Sequence, residues 1–247
     1  MERILGGIVL RYTHFGETSA ILNVLTKDSG IASVLLHGVK NHGGNYGVGA
    51  VVEWHVSKRY AEKEGLAKTS KYEIFDNFSF NGNIEKVALR DCAVELILQV
   101  VPQEFSDSSD LYSLLEKYLK YLDSPDCELF FALWLFCVRL AQFLGYKINF
   151  SNCIACGNDL NFSFLSQQNG GFLCEKCHAK PNWSGEILKI LSKGDANPGR
   201  VTGKLSLKEK IFISEQLISY IQYHCGKKER PLKSFEFFCK YADESFC

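Results

Sequence analysis

Two closely spaced cysteine pairs constrain this chain more than any other feature of its sequence. Cys153 and Cys156 form one Cys-x-x-Cys pair, Cys174 and Cys177 form a second, and 17 residues separate the two pairs. This spacing is typical of zinc sites built from two cysteine knuckles, in which four sulfurs complete a tetrahedron. Four protein ligands leave no open position on the metal. The sequence therefore predicts one structural zinc ion per chain.

Two other interpretations of these cysteines remain open at this point. The pairs could cycle between thiol and disulfide, as redox motifs do, or they could have no shared role. The other six cysteines are scattered along the chain: Cys92, Cys127, Cys137, Cys225, Cys239 and Cys247. Those that lie inside apolar runs are expected to be small core residues.

Charge and hydropathy narrow the class of protein. Lysine plus arginine and aspartate plus glutamate both total 28, so the net charge is zero and any nucleic-acid surface must be local. The N-terminus lacks the pattern of a secretory signal, and the longest apolar run, Leu129 to Val138, is too short to span a bilayer. We therefore expect a cytoplasmic protein without a membrane partner.

The first third of the chain has the pattern of β-strands. Five short segments are rich in β-branched and aromatic residues and are separated by turn sequences: Ile4–Tyr12, Thr18–Thr26, Ile31–His37, Ala50–Tyr60 and Leu66–Phe75. Five strands within about 75 residues fit a small barrel of the OB type. An SH3-like barrel is the competing interpretation, and periodicity does not separate the two.

Helical periodicity begins at Ile84. Predicted helices run from Ile84 to Val101, Leu111 to Leu122, Leu129 to Leu144, Glu186 to Leu191 and Ser206 to about Tyr223. The predicted fold is multidomain α+β: an OB-type β-barrel followed by an α-helical domain that carries an inserted four-cysteine zinc module. The predicted boundaries are 1–80 for the barrel, 81–150 and 181–247 for the two parts of the helical domain, and 151–180 for the zinc module.

Motifs of common enzymes are missing from the sequence. The segment GDANPG, residues 194–199, has the glycine spacing of a phosphate-binding loop, but Arg200 and Val201 occupy the positions of the required lysine and hydroxyl residue. The sequence also lacks the metalloprotease, hydrolase and zinc-deaminase signatures. It indicates a binding protein and not an enzyme.

Two local groups of basic and aromatic residues are candidates for nucleic-acid contacts, because single strands bind to basic grooves with stacking aromatic side chains. The barrel candidates are Arg11, Tyr12, Lys40, His42, Lys58 and Arg59. The C-terminal candidates lie in the stretch GKKERPLKS and are Lys227, Lys228, Arg230 and Lys233.

Several motifs, taken in their order along the chain, resemble the bacterial DNA repair and recombination mediator family RecO. The opening GIVLRYTHFGETSAILNVLTKDSGIASVLLHGVK is similar to the start of that family, and ERPLKSFEFF resembles its C-terminal segment. The four cysteines lie between predicted helices, as the resemblance requires.

The resemblance implies binding of single- and double-stranded DNA and annealing of complementary strands. It further implies partnership with RecR and with single-stranded-DNA-binding protein, so that RecA is loaded on coated strands, and a nucleoid-associated location. After Gly38 the family commonly has a dense basic run, whereas this chain has only Lys40 and His42. The alternatives are an RNA-binding protein with an OB and a zinc module, and a redox or scaffold protein that uses its cysteine pairs.

Overall fold

The computed structural model describes residues 2–39, 47–57, 66–69, 71–102, 108–179, 182–193 and 198–244. Its contacts divide the chain into two compact units, Met1–Asp123 and Ser124–Cys247. The four-part division predicted from the sequence stays a prediction.

A curled six-stranded sheet forms most of the first unit. Its strands are β1 (Glu2–Phe15), β2 (Ser19–Thr26), β3 (Ile31–Leu36), β4 (Val51–Ser57), β5 (Ala67–Thr69) and β6 (Tyr72–Asp76). They lie in the order β5-β3-β2-β1-β4-β6. Every neighbouring pair is antiparallel except β3 and β5, which are parallel.

The stretch predicted as a fifth strand is divided into β5 and β6, and each part pairs with a different edge. β5 pairs with β3, whereas β6 pairs with β4. Two backbone hydrogen bonds continue this pairing, from His37 N–H to Thr69 O at 2.9 Å and from His55 N–H to Lys71 O at 3.0 Å. One chain segment therefore joins both edges of the sheet and curls it into the partly open barrel predicted from the sequence.

The interior of the barrel is apolar and accounts for the alternation along its strands. Leu22, Val34, Leu36, Val52 and Trp54 are buried in one cluster, whereas Asn23 and Glu53, which lie next to cluster residues on their strands, are partly or fully exposed. This alternation is the period of two expected of a β-strand, and it is interrupted where consecutive residues such as Ile8, Val9 and Leu10 are all buried.

Within the described residues, the first unit also contains two α-helices, α1 (Ile84–Val100) and α2 (Ser109–Asp123). Asn83 caps α1 by accepting the Lys86 N–H at 2.9 Å. Buried Ser108, just before α2, donates to Thr26 O at 2.5 Å and accepts from Gly30 N–H at 2.9 Å. These bonds attach the start of α2 to the turn between β2 and β3.

The second unit contains five helices within the described residues: α3 (Leu129–Phe143), α4 (Gly185–Lys193), α5 (Gly199–Thr202), α6 (Leu207–His224) and α7 (Lys233–Glu244). Ser206 and Glu209 form a capping box at the start of α6. Gly145 follows α3 with φ +89°, the left-handed conformation common just after a helix end. Trp134 of α3 donates to Ser214 of α6 at 2.8 Å, and both residues are buried.

A small antiparallel sheet carries the cysteine segment. It consists of β7 (Phe162–Ser166), β8 (Gly171–Cys174) and β9 (Trp183–Ser184), in the order β8-β7-β9. Neither this sheet nor α7 was predicted from the sequence. Among the described residues, no helix combines the length and the apolar character needed to cross a bilayer.

Candidate metal centre and nucleic-acid surfaces

Each cysteine pair lies on a tight turn whose backbone hydrogen bonds hold the two sulfurs together. In the first turn, Gly157 N–H donates to Cys153 O at 2.8 Å, and Gly157 has φ +73°. In the second, which directly follows β8, Cys177 N–H donates to Cys174 O at 2.9 Å. Glycine suits the first turn because residues with a side chain rarely adopt positive φ.

The two turns bring all four predicted ligands into one cluster. The sulfurs of Cys153, Cys156, Cys174 and Cys177 lie within 4.8 Å of one another. The Sγ atoms of Cys156 and Cys174 are 3.6 Å apart. A tetrahedron with zinc–sulfur bonds of about 2.3 Å has edges of roughly 3.8 Å, so this spacing fits a zinc ion.

The ionisation of the cluster also fits a divalent cation. Burial opposes ionisation of Cys153, but N–H groups of Cys174, Ala155 and Cys156 hydrogen-bond to its sulfur and lower its pKa from 9.0 to about 6. For Cys177, the neighbouring Cys156 thiol is the main cause that raises the pKa to about 12. The Cys153 thiolate therefore forms readily, whereas ionisation of Cys177 is opposed by its neighbours and would be favoured by a cation beside them.

Aromatic side chains support the cluster from the small sheet. The His178 ring stacks on Phe164 of β7 with centroids 3.8 Å apart. Buried Trp183 of β9 contacts Phe172 edge to face at 5.1 Å. Cys174, Ser163 and Trp183 are directly opposite one another across β8, β7 and β9, so one face of this sheet joins a ligand to the aromatic core.

The outer face of the barrel presents Arg11 among polar side chains. Strand register places Arg11 opposite Asn23 and Asn23 opposite Ser33, and the Asn23 amide donates to Ser33 Oγ at 2.9 Å. Arg11 is exposed, whereas Leu22 next to Asn23 belongs to the core. Residues directly opposite on neighbouring strands share a face. Arg11 therefore lies on the outside of the sheet.

The end of the β1–β2 hairpin carries exposed aromatic rings on both of its faces. Phe15 is 54% exposed and lies opposite Ser19, whose hydroxyl is 3.2 Å from His37 Nδ1. Tyr12 is 42% exposed, and its ring contacts His14 edge to face at 5.7 Å. Asn23, Ser33 and His37 were not identified from the sequence because only strand register reveals that they neighbour Arg11 and Phe15.

The remaining barrel candidates, Lys40, His42, Lys58 and Arg59, lie outside the described residues. The C-terminal candidates lie between α6 and the first residue of α7, and all of them are exposed: Lys227, Lys228, Arg230 and Lys233. No ion pair found among the described residues uses Lys227, Lys228 or Arg230.

An OB-type curled barrel followed by helices, with a cluster of four thiols that is compatible with a structural zinc ion, defines a multidomain α+β protein with a candidate metal site. Family comparison is consistent with this class in both parts of the chain. The description Recombination protein O N terminal matches residues 1–78, and Recombination protein O C terminal matches residues 81–234. The chain belongs to the RecO family.

Curated relatives extend this similarity over most of the chain. The DNA repair protein RecO of Symbiobacterium thermophilum is 26% identical over an alignment of 251 positions, gaps included, that covers 94% of each chain. That of Caldicellulosiruptor bescii is 25% identical over 244 aligned positions, gaps included, that cover 94% of this chain and 96% of the relative. That of Alkaliphilus metalliredigens is 25% identical over 193 residues, or 76% of each. Family membership supports a role in DNA repair and recombination.

Proposed function

We propose that this protein is a non-enzymatic mediator of DNA repair and homologous recombination that binds single- and double-stranded DNA and anneals complementary strands. With RecR, it helps to load RecA onto single strands coated with single-stranded-DNA-binding protein, and it acts at the bacterial nucleoid. The observation that carries the proposal is the family match, which covers both the barrel and the helical region.

The barrel supplies groups suited to a flexible single strand. Arg11 on the outer face can contact a phosphate, while Phe15 and Tyr12 at the exposed hairpin offer surfaces on which bases stack. Each stacked base contributes roughly 1–3 kcal/mol, with little dependence on its sequence. Such contacts favour binding of any strand, as annealing of arbitrary complements requires.

Cationic side chains supply the second requirement of annealing. Two strands repel each other through their phosphates, and a protein that neutralises phosphates on both lowers the barrier to pairing. We assign this role to Arg11, Lys40, His42, Lys58 and Arg59 of the barrel and to the C-terminal cations, which are Lys227, Lys228, Arg230 and Lys233. Because few basic residues follow Gly38, we assign most of the phosphate contacts to Arg11, Arg59 and the C-terminal lysines and fewer to that loop.

The metal is proposed to act as a structural element. Zinc bound by Cys153, Cys156, Cys174 and Cys177 would hold the two turns together, and its four thiolates would leave no position for a reactant. One zinc per chain is the expected content.

The proposal is tested by annealing of complementary single strands across a salt series, with bare strands and with strands coated by single-stranded-DNA-binding protein. We expect annealing of both, with affinity that falls steeply as salt rises. A variant with Lys40, Arg59 and Lys228 changed to alanine should bind more weakly, and its salt dependence should be shallower by about 2 in log–log slope, since each single-strand phosphate contact contributes about 0.7.

The matched control changes Lys117 to alanine, because Lys117 is an exposed cation on α2 outside both candidate groups. An unchanged affinity and salt slope in the triple variant would show that the DNA surface lies elsewhere. Failure of the wild-type protein to bind or anneal strands at low salt would refute the proposed function.

A further inference from the structure

The cationic segment, which comprises residues 227–230, follows α6, and hydrogen bonds at the end of that helix fix its direction. Gly226 has φ +63° and donates its N–H to Tyr223 O at 3.0 Å, and Lys227 N–H donates to Gln222 O at 2.9 Å. This pair of bonds is the Schellman arrangement, which satisfies carbonyls at the end of a helix. The position of Lys227 is thereby fixed by the helix itself.

A buried glutamine fixes the other end of the segment. Gln222 is only 1% exposed, and its side-chain amide donates to Arg230 O at 2.9 Å and accepts from Arg230 N–H at 3.3 Å. A single side chain thus satisfies both backbone groups of Arg230. The segment from residue 227 to 230 is held at both ends against α6.

Glu229, the only acidic residue between Lys227 and Lys233, forms a hydrogen bond with the same helix. Ser219 of α6 donates to Glu229 Oε2 at 2.5 Å, and the Ser219 oxygen accepts from Gln167 Nε2 at 2.6 Å. Gln167 belongs to the turn between β7 and β8 in the sheet that carries the cysteines. A chain of hydrogen bonds therefore runs from the cysteine module through α6 to the cationic segment.

We infer that Glu229 is a positioning residue of a phosphate-binding segment formed by Lys227, Lys228 and Arg230. Its carboxylate holds the segment on Ser219, so that the cations are ordered before a phosphate chain arrives. The inference rests on the proposed function in taking DNA as the source of the phosphates.

The positioning role and simple electrostatics predict opposite changes in DNA affinity when Glu229 is replaced. Removing the Glu229 charge makes the segment more positive, so Coulomb attraction alone would strengthen binding of a polyanion. Removing its hydrogen bond loosens the middle of the segment, Lys228 and residue 229, between two ends that Gln222 still holds, and DNA must then restrict this part again when it binds. We expect the second effect to dominate in Glu229→Ala.

The test measures binding of a single-stranded oligothymidylate to the full-length, metal-loaded protein at low salt. Glu229→Ala should bind about three- to tenfold more weakly. In this variant the middle of the segment is ordered only when DNA binds, and the free energy of that ordering reduces the affinity. Glu229→Gln removes the charge but keeps an oxygen that can accept from Ser219, so it should bind within about twofold of the wild type or more tightly.

The matched control is Glu215→Ala, which removes one negative charge from an exposed position one turn before Ser219 on α6. It should bind as tightly as the wild type or more tightly. Hydrogen exchange provides a readout without DNA: backbone amides of residues 227–230 should exchange faster in Glu229→Ala than in the wild type and in Glu215→Ala.

Equal or tighter binding by Glu229→Ala would overturn the inference, as would unchanged amide exchange. A variant with Lys227, Lys228 and Arg230 all changed to alanine separates this failure from that of the proposed function. If the triple variant binds as the wild type does, the segment is not a phosphate site, and the inference fails while the barrel surface still stands. If the wild type itself does not bind the oligonucleotide, the proposed function fails and the inference fails with it.

Discussion

Gly7 lies at a close contact between β1 and β2, where a side chain would meet the neighbouring backbone. A Cβ atom at Gly7 would be 2.3 Å from Leu25 O and 2.6 Å from Val24 Cγ1. Neither neighbour can move freely, because Leu25 O belongs to the backbone and Val24 lies in the barrel core. Gly7→Ala should therefore lower the free energy of unfolding by about 1–3 kcal/mol or more, as overpacking of a core does.

The adjacent Gly6→Ala is the matched control. A Cβ atom there would be 2.9 Å from Cγ of Glu53, an exposed side chain that can rotate away. Urea unfolding followed by circular dichroism should show a clear loss for Gly7→Ala and a much smaller one for Gly6→Ala. Equal losses would mean that strand propensity, and not contact with β2, decides the cost.

The sequence predicts single residues well when their chemistry depends on near neighbours in the chain. The four cysteines are recognised by spacing, and the structure places their sulfurs within 4.8 Å. Gly7 and Asn23 are different, because their importance depends on the register between β1, β2 and β3. Residues separated by a turn give no periodic signal of that register.

Glu128 at the start of α3 is an N-cap whose environment works against its charge. Its carboxylate accepts the Phe131 N–H at 2.5 Å. Burial raises its pKa above the ordinary 4.5, although hydrogen bonds from Phe131 and Thr202 and the charge of Lys210 act in the opposite direction. The folded protein therefore holds this proton more tightly than the unfolded chain does, and this carboxyl contributes less stability as pH rises from about 4.5 through its folded pKa.

Glu128→Gln should accordingly gain stability relative to the wild type as pH rises from about 4 to about 7. The capping-box residue Glu209 is a control of opposite sign, since hydrogen bonds from Ser206 lower its pKa in the folded state. Glu209→Gln should lose stability relative to the wild type over the same interval. Urea unfolding at the two pH values measures both, and parallel trends in the two variants would contradict this account.

At the scale of elements, caps and turns explain which predictions succeed. The starts of α1 and α6 follow from Asn83 and Ser206, whose side chains accept N–H groups from their own helices. The division of the fifth predicted strand into β5 and β6 could not be predicted. It depends on two different partners, β3 and β4, that the chain meets only when the sheet curls.

Three tryptophans allow the two units to be observed separately. Trp54 is buried in the barrel, Trp134 in α3, and Trp183 in the sheet that carries the cysteines. A variant retaining only Trp54 reports on the first unit, and a variant retaining only Trp183 reports on the metal module. Phenylalanine replaces the other two residues in each variant, and circular dichroism checks that both variants remain folded.

Removal of the metal should therefore change one signal and not the other. Structural zinc contributes folding free energy to the module that binds it, and a chelator withdraws that contribution. Emission from Trp183 should shift to longer wavelength as the small sheet loosens and water reaches the ring, while emission from Trp54 should stay constant because the barrel has its own apolar core.

Cys153→Ser, which removes a ligand, should bind less zinc than the wild type and respond weakly to the chelator. A constant Trp183 signal during loss of one zinc per chain would show that the metal does not hold the module together, and an equal shift of Trp54 would show that the two units unfold as one.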